Sequence, residues 1–518
     1  MPDDGAGPAH PLDPLTAPEI RQVNACVRSG PAAGPGWRFA SIELAEPAKD
    51  QLAAGAAVPR AAVAVCWNRE DGQAYRARVS LPEAGTAPPE AQVTAWEHLP
   101  GQQPNLTSDE WHECDEMLRA HPQVVAALAA RGLTDPGRAL TDVWAYGAEL
   151  VPDRYQGLRI GWADVWYRGS ADGNPYAHHV TGLHPIVDLN RMQLLELEDS
   201  PEAGAAPEVM GEYLPRLIPM PLREVSLLRV SQPDGTSFRL EGRLLRWQNW
   251  QLRLGFTARE GLVLHTVGFE DAGRLRPVAH RLSFAEMVVP YRDATPDHYR
   301  RTAFDIGEWG LGFMTTSLDL GCDCLGEISY LDAVVPDARG EPRTIRNAVC
   351  VHEEDDGIGW KHVDERTGAE VRRARRLVIS FHATVANYEY LVYWRFYQDG
   401  SIECEVRATG LMVTSYFPEG RQPPSGTLVD QRTPPFHQHF IVAAPRTPTG
   451  SPWWCARRRC APRPRAGRTT TGRPSGPGRW PAARSATGWA RRPPTSWCRA
   501  AASRRSSTGQ PRRCGGRR

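Results

Sequence analysis

The stretch "SFRLEGRLLRWQNWQLRLGFTAREGLVLHTVGFED", residues 237–271, sets the fold class. Apolar residues recur at every second position, as in Trp250, Leu252, Leu254 and Phe256. That period puts one face of a strand on a core and the other in water. Turn residues break the runs at short intervals, and the pattern continues through residues 219–444. Strands this frequent predict a large antiparallel β-sandwich. Upstream the period changes. In "HPLDPLTAPEIRQVNACVRS", Thr16 reads as a helix cap, Pro18 fits the first turn, and Ile20, Val23 and Val27 share a face. Alternating runs such as "RAAVAVCWNRE" follow, so residues 15–101 predict a small α+β domain after a polar, Pro-rich leader, 1–14. Residues 102–218 repeat that order. "LTSDEWHECDEMLRAHPQVVAALAARG" opens with Ser108 as the predicted cap and Glu110–Trp111 in the first turn, and strand-like runs come after it. The fold class is therefore α+β: two small α+β domains, a duplicated unit by their order, followed by a large β-sandwich.

At 518 residues the chain exceeds one hydrophobic core, and 41% hydrophobic with 23% charged residues is ordinary globular composition. No apolar run reaches the roughly 18 residues of a membrane span. The acidic N-terminus lacks the features of a secretory signal, which predicts a cytoplasmic product. The formal net charge of +1 averages two unlike parts. Residues 445–518 hold 19 Arg and no Lys, Asp or Glu, which leaves the first 444 residues with 42 basic against 60 acidic groups, a net of −18. The acidic body predicts no nucleic-acid partner. The tail contains no Leu, Ile, Val, Met, Phe or Tyr, so it cannot build a core and is predicted to be disordered. A GC-rich reading frame shifted near Ala444 accounts for that composition better than a basic nucleic-acid arm. "RTPTGSPWW" (446–454), read one frame over with suitable codons, is compatible with "DTDGFPVV", a turn followed by a strand.

Chemistry-bearing residues are spread along the chain. "TVANYEYLVYW" (384–394) sets Tyr388 and Tyr390 on one strand face and Asn387 and Glu389 on the other. "PPFHQHFIVAA" places His437 and His439 two residues apart, so both imidazoles project together as candidate ligands for zinc or copper. No His follows His439. In "AFDIGEWG", Asp305 lies among apolar neighbours, either as a buried general base or as a turn cap. Cys322, Cys324 and Cys350 read as soft-metal ligands or buried thiols, and the adjacent His178 and His179 as structural. "EWGLGF" lacks the glycines and βαβ context of a nucleotide site, and no GxSxG, HExxH or P-loop is present. A cupin-like metal protein would use the histidine pair but leave Tyr388 idle.

Taken together these elements resemble the copper-containing amine oxidases. Asn387-Tyr388-Glu389-Tyr390 matches the family's N-Y-[D/E]-Y signature, "FHQHF" its copper-binding histidine pair, and "FDIGEWGLG" the segment bearing its catalytic aspartate. The resemblance spans about residues 10–444. It implies that Tyr388 is the precursor of a topaquinone cofactor, formed by bound copper and oxygen. It implies further that Asp305 is the base, that Tyr291 in "VVPYRD" hydrogen-bonds the quinone oxygen, that Asn387 restrains the ring, and that His437 and His439 are copper ligands. Cys324 and Cys350 match a disulfide pair, with Cys322 left free. The implied reaction is oxidative deamination of a primary amine by oxygen to aldehyde, ammonia and hydrogen peroxide, in a homodimer with inter-subunit arms where the C-terminal region is restored. Ala303 departs from the bulkier gating aromatic of many relatives. The family's third copper histidine and the closing strands of the sandwich lie in the region that the Arg-rich tail replaces. For the chain as written, the alternative expectation is therefore an inactive remnant that binds copper weakly and develops no quinone band.

Overall fold

The computed structural model describes residues 10–53, 58–82, 91–200, 211–218, 225–291, 294–413, 415–416, 428, 432–433 and 437–446. The Arg-rich tail beyond residue 446 and most of the leader lie outside these.

Helix α1 (Ala17–Ser29) begins where the sequence signals it. The Thr16 hydroxyl accepts the Glu19 N–H at 3.3 Å, and the Glu19 carboxylate accepts the Thr16 N–H at 2.8 Å. This reciprocal cap satisfies N–H groups that the first turn leaves unpaired, which contributes about 1 kcal/mol. Ile20, Val23 and Val27 are buried against a four-stranded meander, β1 (Trp37–Leu44), β2 (Ala61–Asn68), β3 (Ala74–Ser80) and β4 (Gln92–Leu99), with a short α2 (Lys49–Ala53) between β1 and β2.

The second unit opens with α3 (Ser108–Ala120) and α4 (Pro122–Ala130). Its cap is Thr107 rather than the predicted Ser108, which is instead the first helical residue. The reason is reciprocity: the Glu110 carboxylate reaches back to the Thr107 N–H at 3.0 Å, and a capping box places that acid three residues after its cap. The helices cover an antiparallel sheet of β5 (Ala139–Ala145), β6 (Ile160–Tyr167), β8 (Leu183–Asp188) and β9 (Gln193–Asp199), with β7 (His178–His179) pairing on β6. Both units thus run helix first, then meander.

The remainder is antiparallel sheet. One five-stranded sheet is β10 (Arg239–Glu241), β11 (Leu244–Trp247), β12 (Trp250–Thr257), β13 (Gly261–Asp271) and β14 (Arg274–Leu282). A second is β17 (Ser329–Pro336), β18 (Pro342–Asp364), β19 (Gly368–Val385), β20 (Tyr388–Tyr397) and β21 (Ile402–Gly410). Their inner faces share one core, in which Trp250 sets its edge against Phe269 and Phe396 at 4.8 and 5.1 Å. Gly261 lets the two sheets approach: its φ is +77°, and a Cβ there would lie 2.4 Å from the Phe381 ring. The outer halves of β18 and β19 project as a long hairpin with Ile358, Trp360, Val363 and Val371 exposed. A smaller sheet, β16 (Thr302–Phe304), β15 (Phe284–Pro290) and β24 (Phe440–Ala443), sits beside the core, and the two-residue strands β22 (Ser415–Tyr416) and β23 (Arg432–Thr433) pair with each other. The fold is therefore α+β, with two small units ahead of a large antiparallel sheet region. No helix among the described residues is long and apolar enough to cross a membrane.

Cys324 and Cys350 correct one expectation. They meet in a small buried cluster with Leu318, but as free thiols in hydrogen-bond contact rather than as a disulfide. The Cys350 thiol also lies 3.3 Å from His352 Nδ1. Cys322, expected to be the unpaired one, is not among the free thiols of the described residues.

Candidate active site

Two neighbouring segments and a third far along the chain are joined by the small sheet. Its middle strand, β15, pairs Val288 with Phe304 on one side and with Phe440 on the other. Asp305 directly follows β16, and His439 directly precedes β24, so the register of β15 sets both at the level of Val288, one on each flank of that strand. Tyr291, one residue past β15, forms an isolated bridge to His437 and stacks on its imidazole at 4.9 Å between centroids. β20 then enters from the sandwich. It starts at Tyr388 after a two-residue turn, Ala386–Asn387, in which Ala386 takes φ +51° and the Asn387 carbonyl accepts the Leu411 N–H at 2.8 Å.

The strand period then acts as the sequence indicated: Tyr388 and Tyr390 both line one pocket, with Asp305, Tyr291 and His439. The Tyr388 hydroxyl lies 3.3 Å from His437 Nε2, accepts the Val413 N–H at 3.1 Å and hydrogen-bonds Tyr291. Tyr390 donates to Asp305 Oδ2 at 2.8 Å and lies 3.1 Å from His439 Nδ1. The two imidazoles are 5.3 Å apart between centroids, while Gln438 between them is exposed. Asp305, Asn387, Tyr388, Tyr291, His437 and His439 therefore lie at or beside one pocket, while Cys322, Cys324, Cys350 and the His178–His179 pair do not line it.

Burial governs the proton affinities. Asp305 is pushed up to about 6, chiefly by desolvation; the Tyr390 hydrogen bond holds it down, and the Glu286 charge pushes it up. Burial also raises the Tyr388, Tyr390 and Tyr291 phenols. His439 is lowered to about 4 by burial and by the neighbouring His437, so it is neutral at physiological pH.

Several residues here carry no local sequence signal. Arg301 lines the pocket with its guanidinium 5.3 Å over the Tyr291 ring and 5.6 Å over Trp144, and it pairs with Asp164 where both side chains are buried. Asp142, opposite Asp164 across β5 and β6, accepts the Trp111 indole N–H at 2.8 Å and is pushed up to about 7 by burial. Tyr390 had a signal, since its spacing from Tyr388 puts both on one face.

Two imidazoles beside a phenol are donors of the type copper takes, and in that respect His437 and His439 fit the metal. Among the described residues, no group of three His, Cys, Asp or Glu is placed to hold an ion, so the pair supplies part of a donor set.

The sequence profile of the copper amine oxidase enzyme domain matches residues 239–444, and profiles of the AGAO-like N2 domain and the copper amine oxidase N3 domain match residues 16–86 and 109–211. The chain belongs to the copper amine oxidase family. It is 46% identical over 439 residues to a primary amine oxidase of Arthrobacter sp. (strain P1), an alignment covering 84% of this chain and 66% of that one. It is 38% identical over 489 residues to the peroxisomal N-methylputrescine oxidase 1 of Nicotiana tabacum, covering 84% and 60% respectively. Among solved structures it resembles a copper-containing benzylamine oxidase from Hansenula polymorpha, with a TM-score of 0.74, 29% identity, and coverage of 85% of this chain and 70% of that one. The chain thus spans just under two thirds of the length of these curated relatives.

Proposed function

We propose that this site performs copper- and topaquinone-dependent oxidative deamination, taking a primary amine and oxygen to an aldehyde, ammonia and hydrogen peroxide. The observation that supports this most is the meeting of Asp305, Tyr388, Tyr291 and the His437–His439 pair around one buried pocket. In this reading His437 and His439 would hold copper, and a topaquinone derived from Tyr388 would supply the electron acceptor for the amine. Asp305 is the base that removes the substrate α-proton. A carboxyl raised to about 6 is mostly ionised at neutral pH yet more basic than an exposed aspartate. Tyr390 donates to Oδ2 and leaves Oδ1 to take the proton. Tyr291 hydrogen-bonds the oxygen on the Tyr388 ring, and Asn387 in the preceding turn restrains that ring. Trp144, Trp166 and Val289 wall the pocket and limit water around the base, while Ala303 leaves room beside it.

The test is chemical. Purified protein treated with copper and air is expected to form a coloured adduct with phenylhydrazine, carried on the peptide that contains Tyr388. Folded, copper-treated protein that stays colourless would select the second reading, a remnant that keeps the fold while Tyr388 remains a tyrosine. The contacts that favour that reading are the hydroxyls of Tyr388 and Tyr390, which already engage His437 and His439. The expected protein partner is a second copy, with the β18–β19 hairpin as the arm between subunits.

A further inference from the structure

Asp305 opens a five-residue π-turn, Asp305–Trp309. Two N–H groups of that turn are fixed by a side chain from another strand. Glu286, on β15, accepts the Ile306 N–H at 3.1 Å and the Gly307 N–H at 2.9 Å, both on Oε1. The same oxygen accepts the Met287 N–H at 2.9 Å, and Oε2 lies 3.4 Å from the Arg259 guanidinium. Three N–H donors converging on one carboxylate oxygen make a charge-assisted anchor. The fit is close: a Cβ on Gly307 would sit 2.5 Å from Glu286 Oε2. At the far end of the turn, the Glu308 carboxylate lies 3.4 Å from the Ala145 N–H and 3.5 Å from the Phe304 N–H, which ties the turn to the second small unit. Glu286 does not line the pocket.

We propose that Glu286 is a positioning residue for Asp305: by holding the two N–H groups that follow Asp305, it fixes the turn that aims this carboxyl at Tyr390 and the pocket. The proposal rests on reading Asp305 as the base, for which a misplacement of about 1 Å costs on the order of 100-fold in rate.

Glu286→Ala and Glu286→Gln test it in the full chain by amide hydrogen exchange and, in protein that has matured its cofactor, by kinetics. Glu286→Ala is expected to speed exchange of the Ile306 and Gly307 amides at least tenfold or so. It should also lower kcat roughly 100-fold with KM changed less than about threefold. Glu286→Gln keeps an acceptor, so exchange and kcat should stay near wild type. Its pH profile should nevertheless move. The groups acting on Asp305 are Tyr390 on β20, Glu286 on β15 and, through their mutual charges, Glu308, Tyr388 and Tyr291. Removing the Glu286 charge lowers the proton affinity of Asp305, which shifts the acid limb of kcat/KM to lower pH. A merely structural glutamate would leave that limb in place. Wild-type exchange in Glu286→Ala, or an unmoved limb in Glu286→Gln, overturns the proposal, and if the Ala variant does not fold the Gln variant decides. Should Asp305→Asn turn over amine at the wild-type rate, the base reading falls while the exchange result still reports on the tether.

Discussion

Burial beside Tyr390 gives Asp305 the proton affinity of a base and makes it costly to keep ionised. Its folded value of about 6 lies above the ordinary 3.8, so its contribution to stability is largest while it is protonated and is lost as pH rises through about 6. Asp305→Asn should therefore stabilise the fold near pH 7.5 by about 1–2 kcal/mol in a urea titration, while lowering kcat by about 10³-fold. Such a gain in stability with a loss of rate is expected where a site holds a strained charge. Tyr390→Phe removes the hydrogen bond that lowers Asp305. In its proposed role as base Asp305 must be deprotonated to act, so the acid limb of kcat/KM should then move to higher pH, with the largest loss near pH 6 and recovery toward pH 8–9. A limb that stays in place would show that the Tyr390 hydroxyl does not control this carboxyl.

Secondary-structure elements carry the site through register more than through propensity. β15 is central because it pairs with β16 on one edge and β24 on the other, so a slip by one residue would turn either Asp305 or His439 away from Tyr390. The sandwich that delivers β20 depends on close approach at Gly261. Gly261→Ala combines a left-handed φ with a Cβ 2.4 Å from Phe381, and it should cost about 1–3 kcal/mol and broaden the unfolding transition. Thr107→Ala tests the cap of α3. Losing both arms of the capping box should cost about 1 kcal/mol by urea unfolding, with Thr107→Ser near wild type.

Across the whole molecule, the two small units are joined to the large sheet region by packing and by ion pairs. Trp309 packs on the core of the second unit and on that of the sandwich, and Arg253 pairs with Asp13 at 2.6 Å across the boundary of the first. The β18–β19 hairpin instead projects its tip away from these cores, with apolar side chains exposed. If it is the arm between subunits, replacing residues 356–372 by a two-residue turn should convert a dimer to a monomer in light scattering after gel filtration. A variant whose mass does not change would remove the hairpin from the interface.

The sequence by itself determined what depends on local periodicity. Alternation in residues 237–271 specified the antiparallel sheets, Thr16 and Glu19 specified the start of α1, and two-residue spacings put Tyr388 with Tyr390 and His437 with His439 on common faces. It also carried the motifs that mark the family. Tertiary structure alone decided which groups meet. The Tyr390–Asp305 hydrogen bond joins residues 85 apart, and the Arg301–Asp164 pair joins residues 137 apart. No local pattern encodes either contact, because each follows from strand pairing and domain packing over long loops. The raised proton affinity of Asp305 is likewise absent from the sequence: it arises when the fold removes water from that carboxyl and brings Glu286 beneath the turn that bears it.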